Sequence, residues 1–193
     1  PSLALKKKYK EKIFTIHIQD PKVDLKNFDM VVCPEHDTLE GGNVIKTVGA
    51  IHYLSKKEIE KEKNYIKIEK ENKKVVAFII GGPNKYYEYS DKEIDYTFNK
   101  IKAIFTRDKY KLIIVPSYRT PEHIKKKAYN AFGHDHIVIK DIDKKAYLSA
   151  LHHSDFIVVT CDSTYMISEA AITGKPIYVT QMIAKKNNLI FKN

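Results

Sequence analysis

Residues 156–179, FIVVTCDSTYMISEAAITGKPIYV, have the pattern of a buried strand, a short helix and a second strand. Four consecutive apolar residues open the segment, as expected for a strand that is covered on both faces of a parallel sheet. Asp162 or Ser163 then provides a helix N-cap, and Gly174 with Pro176 ends the helix. This order of elements is typical of an α/β protein.

The helix in this segment is predicted to have two different faces. On a helical wheel the apolar side chains fall on one side, whereas Thr164, Tyr165, Ser168 and Glu169 fall on the other. Because the helix begins at the carboxyl end of a strand, its free N–H groups and its positive dipole face the ligand side of the sheet. We therefore expect a phosphate site at the start of the helix, with the Glu169 carboxylate within reach of a ribose.

The same alternation of strands and helices continues through the second part of the chain. The predicted strands of this part are 75–80, 112–115, 136–139, the strand that begins at Phe156, and 176–180. Short loops between strands and helices predict a doubly wound parallel sheet with right-handed crossovers in residues 73–193.

Residues 1–54 are predicted to contain short strands of their own. Strands are expected at 13–18 and 28–33, followed by a turn at 41–44 and an extended piece at 48–52. Residues 55–72 are highly charged and predict a linker or a connecting helix at the domain boundary.

The net charge of +10 comes almost entirely from lysine. Arg107 and Arg119 are the only arginines, whereas proteins that read nucleic acid usually combine lysines with arginine forks. We interpret the charge as solvated lysine-rich faces, with an anionic ligand or a membrane surface as alternatives, and expect no nucleic-acid partner.

Cysteine usage and hydropathy predict a cytoplasmic protein, with peripheral membrane contact left open. Cys33 and Cys161 are far apart in sequence, which favours two free thiols in a reducing compartment. No apolar run reaches the ~18 residues of a membrane span, and the basic cluster near the start follows the apolar residues, unlike a signal peptide. Since the chain lacks an initiating Met, we interpret it as a fragment of a longer protein.

Ligands of open α/β sheets bind beyond the carboxyl ends of the strands, where three predicted loops carry suitable residues. Two glycines allow close backbone approach, hydroxyls and one arginine suit phosphate, and a carboxylate suits ribose hydroxyls. The candidate binding residues are Gly81, Gly82, Ser117, Arg119, Thr120, Asp162, Ser163, Thr164, Ser168 and Glu169. Together they predict a nucleotide-diphosphate site, although caps and glycine turns at strand ends also occur for structural reasons alone.

Other kinds of site lack their sequence patterns. The chain has no G-x-G-x-x-G after its first strand, no P-loop and no G-x-S-x-G elbow. The histidines at 134 and 136 and those at 152 and 153 do not have the spacing of a helical zinc motif, so we expect no metal. His36 and Asp37 together are a candidate general base, with a hydrogen-bonded turn histidine as the alternative.

An ordered set of short motifs resembles the mitochondrial-fission Elm family, known in bacteria as a glycosyltransferase-like domain of unknown function. The motifs span residues ~13–180 and include QDP at 19–21, PEHD at 34–37, SYRTP at 117–121, DS at 162–163, SEA at 168–170 and GKP at 174–176. Where the family often has two arginines, Tyr118 precedes Arg119, which removes one cation.

The resemblance implies a two-domain architecture of the glycosyltransferase-B type, whose second half, residues 73–193, holds a nucleotide-sugar donor. Residues 1–54 would be the C-terminal part of an N-terminal, acceptor-side α/β domain, so the resemblance also implies missing sequence upstream and a continuation beyond Asn193. The expected activity is metal-independent sugar transfer from a nucleotide-diphosphate sugar to an acceptor of unknown identity, a lipid-linked one included. No cofactor is expected beyond the donor itself. In this scheme Gly81 and Gly82 line the sugar-phosphate edge, the hydroxyls and Arg119 hold the diphosphate, Glu169 holds the ribose, and His36 or Asp37 faces the acceptor. Because plant members are linked to recruiting fission machinery, a non-catalytic adaptor or membrane-surface scaffold is the alternative.

Overall fold

The computed structural model describes residues 2–185, which form two compact units, one that ends at His52 (unit 1) and one that begins at Tyr53 (unit 2). Unit 1 contains a parallel three-stranded sheet of order β1-β2-β3. Its elements in chain order are helix α1 (Ser2–Tyr9), a 3-10 helix (Lys10–Lys12), strand β1 (Ile16–Ile18), a second 3-10 helix (Leu25–Asn27), and strands β2 (Met30–Pro34) and β3 (Val44–Thr47).

Asp29 joins the start of unit 1 to its sheet. Its carboxylate accepts hydrogen bonds from the backbone N–H of Thr15 (2.7 Å), from the Thr15 hydroxyl (2.8 Å) and from the ammonium of Lys6. These donors, with Lys6 contributing most, lower the pKa of Asp29 to about 2.

Unit 2 is a doubly wound α/β domain with a five-stranded parallel sheet of order β6-β5-β4-β7-β8. Its strands are β4 (Lys74–Ile80), β5 (Tyr110–Pro116), β6 (Ile137–Val138), β7 (Phe156–Thr160) and β8 (Ile177–Thr180). Its helices are α2 (Lys56–Lys61), α3 (Asp91–Ile104), α4 (Glu122–Phe132), α5 (Lys144–His153) and α6 (Thr164–Ala171).

The central strand β4 explains why unit 2 has two hydrophobic layers. Residues 75–80 are all buried, and successive side chains point to opposite faces of the sheet. Phe78 packs with α3 and α4 through edge contacts with Phe98 and Phe132, whereas Ala77 and Ile79 belong to the cluster on the face of α5. A strand buried on both faces needs a continuous apolar run, so the predicted α/β doubly wound fold is confirmed.

The structure corrects one element of unit 1 and defines the predicted connecting segment. The turn predicted at 41–44 is followed directly by β3, whereas residues 48–52, predicted to be extended, are outside any strand. Within the segment 55–72, helix α2 begins after Ser55, whose side chain accepts a hydrogen bond from the Glu58 N–H (3.3 Å).

Candidate functional site

The carboxyl ends of β4, β5 and β7 bring three loops of unit 2 to one edge of the sheet. The chain runs outward from β4 to β5 and β6, then returns to the other side of β4 with β7. The point between β4 and β7 is therefore the topological switch point, where open α/β sheets bind ligands. The loops that follow these strands contain residues 81–82, 117–120 and 161–163, and most of the predicted site residues lie in them or in α6.

Asp162 links the three loops from the inside. Its side chain is fully buried, and one oxygen accepts hydrogen bonds from the Gly82 N–H (3.2 Å) and from Nη2 of Arg119 (2.7 Å). The other oxygen accepts from the hydroxyls of Thr160 (2.6 Å) and Tyr89. Four donors from two loops and from β7 thus surround one carboxylate of a third loop, so Asp162 connects the loops at this edge of the sheet.

Gly81 and Gly82 are needed because the chain itself comes so close to them. A Cβ at Gly81 would lie 2.2 Å from Oδ2 of Asp162, and a Cβ at Gly82 would lie 2.0 Å from the backbone oxygen of Arg119. Both glycines are buried. The two loops can therefore pack against β4 only where residues 81 and 82 lack side chains.

Arg119 lies at the surface of this network with its charge paired. Its guanidinium also donates to the Gly82 carbonyl (Nη1, 3.1 Å), and 38% of its side chain is exposed. Thr120 is buried and donates to the carbonyls of Ile80 (2.8 Å) and Gly81 (2.6 Å), while its oxygen accepts from the Ser117 N–H (2.8 Å). Ser117 and Thr120 therefore stabilise the turn after β5 through hydrogen bonds within the chain. Arg119 provides the cationic group of this loop.

Helix α6 begins at this edge, as the sequence predicted. Ser163 is its N-cap and accepts a hydrogen bond from the Met166 N–H (3.4 Å). Thr164, the first helical residue, is exposed, and the Ser168 hydroxyl donates back to its carbonyl (2.8 Å). The first-turn N–H groups and the helix dipole favour an anion in front of Ser163 and Thr164.

Glu169 lies on the buried side of α6, unlike the prediction from the helical wheel. It is only 8% exposed and accepts a hydrogen bond from the Tyr147 hydroxyl of α5 (3.0 Å). Burial and the nearby carboxylate raise the pKa of Tyr147, and the same two effects raise that of Tyr165. Two tyrosines that remain protonated thus fix the carboxylate, which the wheel could not show because Tyr147 belongs to another helix.

His36 and Asp37 lie in unit 1, in the turn after β2. His36 is exposed and Asp37 is half-buried. The Asp37 N–H donates to the Pro34 carbonyl (3.0 Å), and the Asp37 carbonyl accepts from the ammonium of Lys46. The structure thus places this pair on a hydrogen-bonded turn, and its role as a general base stays a prediction.

Three residues of the network were not predicted from the sequence. Tyr89 and Thr160 donate to Asp162, and Asn84 donates from its amide to the Asp162 carbonyl (3.1 Å). Burial, followed by the charge of Asp162, raises the pKa of Tyr89, so its hydroxyl stays a donor. Thr160 could have been noticed as a hydroxyl at the end of an apolar strand, but no sequence signal pairs Tyr89 or Asn84 with Asp162.

A cavity of about 1070 Å³ lies elsewhere in unit 2, along α3 and β8. None of the predicted site residues contributes to its walls, which include Ile101, Phe105, Tyr178 and Met182. Glu93 is buried there, and burial raises its pKa. We place the candidate site at the loops and not in this cavity because the cation, the helix N-terminus and the hydroxyls meet at the loops.

Residues 2–185 contain neither a metal-binding cluster nor a membrane-spanning helix. Within this range the structure has no group of three or more His, Cys, Asp or Glu side chains that could hold a metal ion. In the same part of the chain, every helix is too short or too polar to cross a membrane. Cys33 and Cys161 are both free thiols, and Cys33 is buried.

Part of the chain is similar to several solved structures, which include the following two. The UDP-GlcNAc 2-epimerase of Neisseria meningitidis bound to UDP-GlcNAc is 18% identical, with a TM-score of 0.40 over 64% of this chain and 30% of that one. The S. aureus MnaA–UDP structure is 15% identical, with a TM-score of 0.49 over 80% and 42% of the two chains.

Two curated proteins are similar in sequence. The mitochondrial fission protein ELM1 of Arabidopsis thaliana is 28% identical over 197 residues, which cover 88% of this chain and 46% of the relative. The uncharacterized protein RP120 of Rickettsia prowazekii (strain Madrid E) is 29% identical over 154 residues, which cover 75% of this chain and 42% of the relative. The chain thus spans less than half the length of these relatives.

The sequence profile of the family described as "Mitochondrial fission ELM1" matches residues 1–190, nearly the whole chain. The match includes both units and all of the loops described above. The resemblance seen in the short motifs is confirmed, and the chain belongs to the mitochondrial fission ELM1 family.

Proposed function

We propose that unit 2 binds a nucleoside-diphosphate sugar at the carboxyl edge of its sheet and takes part in metal-independent transfer of the sugar. The observation that carries this proposal is the meeting of the α6 N-terminus, the Arg119 guanidinium and the glycine loop at the switch point. Such a place offers free N–H donors at the start of α6 and one cation, which are features that a diphosphate requires.

The diphosphate would lie in front of Ser163 and Thr164. The first-turn N–H groups of α6 would donate to its oxygens, and Arg119 would add N–H groups that have no partner among the described residues. In sugar transfer, negative charge grows on the leaving diphosphate, so these fixed donors would stabilise the transition state more than the ground state.

The ribose would contact Glu169, whose carboxylate is held in place by Tyr147. A preorganised acceptor loses little side-chain entropy when ribose hydroxyls bind. His36 or Asp37 would be the general base. The proposal does not specify the acceptor from which this base would remove a proton. Transfer activity, the base of the nucleotide and the lipid or other nature of the acceptor all belong to the proposal.

The test is a thermal-shift panel with UDP, GDP, CDP, TDP and ADP and with their sugars, on the wild type and on two variants of Thr164. Thr164→Glu places a carboxylate at an exposed helix start, where it favours the helix but repels a diphosphate. Thr164→Gln is the matched neutral control. One nucleotide should stabilise the wild type and Thr164→Gln in a dose-dependent manner and leave Thr164→Glu unchanged.

A flat panel on the folded wild type would contradict the proposal. If the same protein then bound anionic vesicles with a strong dependence on salt, the adaptor or scaffold function would be favoured. Equal stabilisation of Thr164→Glu and Thr164→Gln would instead place the nucleotide somewhere other than the start of α6.

A further inference from the structure

Asp162 is the only carboxylate among the described residues that touches the glycine loop and Arg119 together. A negative charge this close to a proposed diphosphate opposes anion binding unless it does something that outweighs the repulsion. Its side chain is fully buried and also accepts hydrogen bonds from the hydroxyls of Tyr89 and Thr160. The carboxylate therefore interacts with other groups of the protein and not with solvent.

We propose that Asp162 is a positioning residue of the diphosphate site, which acts through Arg119 and the Gly82 N–H. The expected effect of Asp162 on diphosphate binding rests on the proposed function. Its positioning of the Arg119 guanidinium does not, because those contacts are present in the protein without a ligand. The carboxylate oxygen Oδ2 fixes the guanidinium by a 2.7 Å charge-assisted hydrogen bond, and the Gly82 carbonyl fixes it from the other side at 3.1 Å.

The two oxygens of Asp162 have separate tasks. Oδ1 receives the Thr160 and Tyr89 hydroxyls and so orients the carboxylate plane. Oδ2 receives Gly82 and Arg119 and so positions the two loops that would surround the diphosphate. A guanidinium without this anchor would be a flexible surface cation, and a flexible cation binds an anion less well than a fixed one because ordering it costs entropy.

The separation of tasks gives a selective variant. Asp162→Asn removes the charge that pairs with Arg119, and in the amide orientation that keeps both hydroxyl donors the NH2 group faces the Gly82 N–H and Arg119, which are themselves donors. Asp155→Asn is the matched control, since Asp155 lies near the opposite end of β7 and accepts from a β4 N–H, that of Val75 (2.8 Å).

The first readout needs no ligand. Hydrogen exchange measured by mass spectrometry should become at least tenfold faster in the loops 81–89 and 117–120 of Asp162→Asn and should not change there in Asp155→Asn. Unchanged exchange in both loops would overturn the positioning role, whatever the protein binds.

The second readout is binding of inorganic pyrophosphate and of the nucleotide found by the panel, with Arg119→Met and the double variant Asp162→Asn/Arg119→Met completing a cycle. If Asp162 acts through Arg119, each single variant weakens binding about ten- to 100-fold and the double variant is no weaker than the worse single one. Additive losses, or tighter binding by Asp162→Asn, would refute the inference. If the wild type binds neither probe, the proposed function fails, and loop exchange alone decides whether Asp162 positions the loops.

Discussion

Replacing Gly82 by alanine tests whether the close approach of the β4 and β5 loops is as tight as the structure shows. The new Cβ would lie 2.0 Å from the backbone oxygen and 2.3 Å from the backbone carbon of Arg119. Neither atom can rotate away, so the whole loop must retreat until the contact reaches an ordinary distance. That movement stretches the hydrogen bonds that tie Arg119 to Asp162 and to the Gly82 carbonyl.

We expect Gly82→Ala to lose about 3 kcal/mol of stability, the upper end of the range for overpacking, because backbone and not a flexible side chain must move. For a domain of this size the loss corresponds to a fall in melting temperature of roughly 6–12 °C. The control is Gly42→Ala, since a Cβ there would meet no atom within 4 Å. Its stability should stay the same or rise by about 0.4–1 kcal/mol.

The assay is thermal and urea unfolding followed by circular dichroism, with hydrogen exchange used to assign the loss to unit 2. Gly82→Ala should also speed exchange in residues 117–120, because the clash is with Arg119. If Gly82→Ala lost less than about 0.5 kcal/mol of stability and so behaved like Gly42→Ala, the reasoning would be refuted. It would show that the β5 loop moves without cost and that Gly82 has no packing role.

Three other changes have a defined direction. Arg119→Ala should cost about 2–3 kcal/mol in urea unfolding, because it leaves the buried Asp162 without its cation, and Asp162→Asn in the same chain should restore most of this; no recovery would argue against the pair. Since the pKa of Asp29 is about 2 in the folded protein, against 3.8 for the free side chain, its contribution is present above pH ~4 and is lost as the pH falls towards 2. Asp29→Asn should flatten this part of the acid unfolding curve of unit 1, and an unchanged curve would exclude the ion pair with Lys6 as its cause. Burial lowers the pKa of His136, so the unfolded chain binds the proton more tightly and stability should fall as the pH drops below 6.5. His136→Gln should remove that slope from melting temperatures measured between pH 7.5 and 5, and a slope that persists would assign it to other groups.

The fold of unit 2 could be predicted from sequence because burial on two faces leaves a clear pattern. A strand such as β4 must be apolar at every position, and a helix such as α3 shows its start through the Ser90 cap, which accepts from the Glu93 N–H. Strand β3 was misplaced for the opposite reason. Its residues Ile45 and Lys46 are exposed, so it has no apolar run to reveal it.

The candidate site could be predicted only as a set of loops. Its rim was predictable because parallel strands end at the same edge of a sheet. The inner contacts were not, since Asp162 is 73 residues from Tyr89 and 43 from Arg119 in sequence. Single-chain patterns describe neighbours along the chain, whereas the role of a buried carboxylate depends on which donors the tertiary fold brings to it. The same limit applies to Glu169, whose partner Tyr147 is 22 residues away.

The pairing of Arg119 with Asp162 changes how the site would hold an anion. The two side chains carry opposite charges, so the immediate site gains little net positive charge from its arginine despite the +10 of the whole chain. Attraction would then come mainly from oriented N–H groups at the start of α6, which act within the first turn of the helix, at separations shorter than a Debye length. Lysine-rich faces would behave differently, because exposed charges that attract an anion from a distance are largely screened beyond a Debye length. Nucleotide affinity that falls less than about threefold between 50 and 200 mM salt would therefore support the site at α6, and a fall of tenfold or more would point to the lysines.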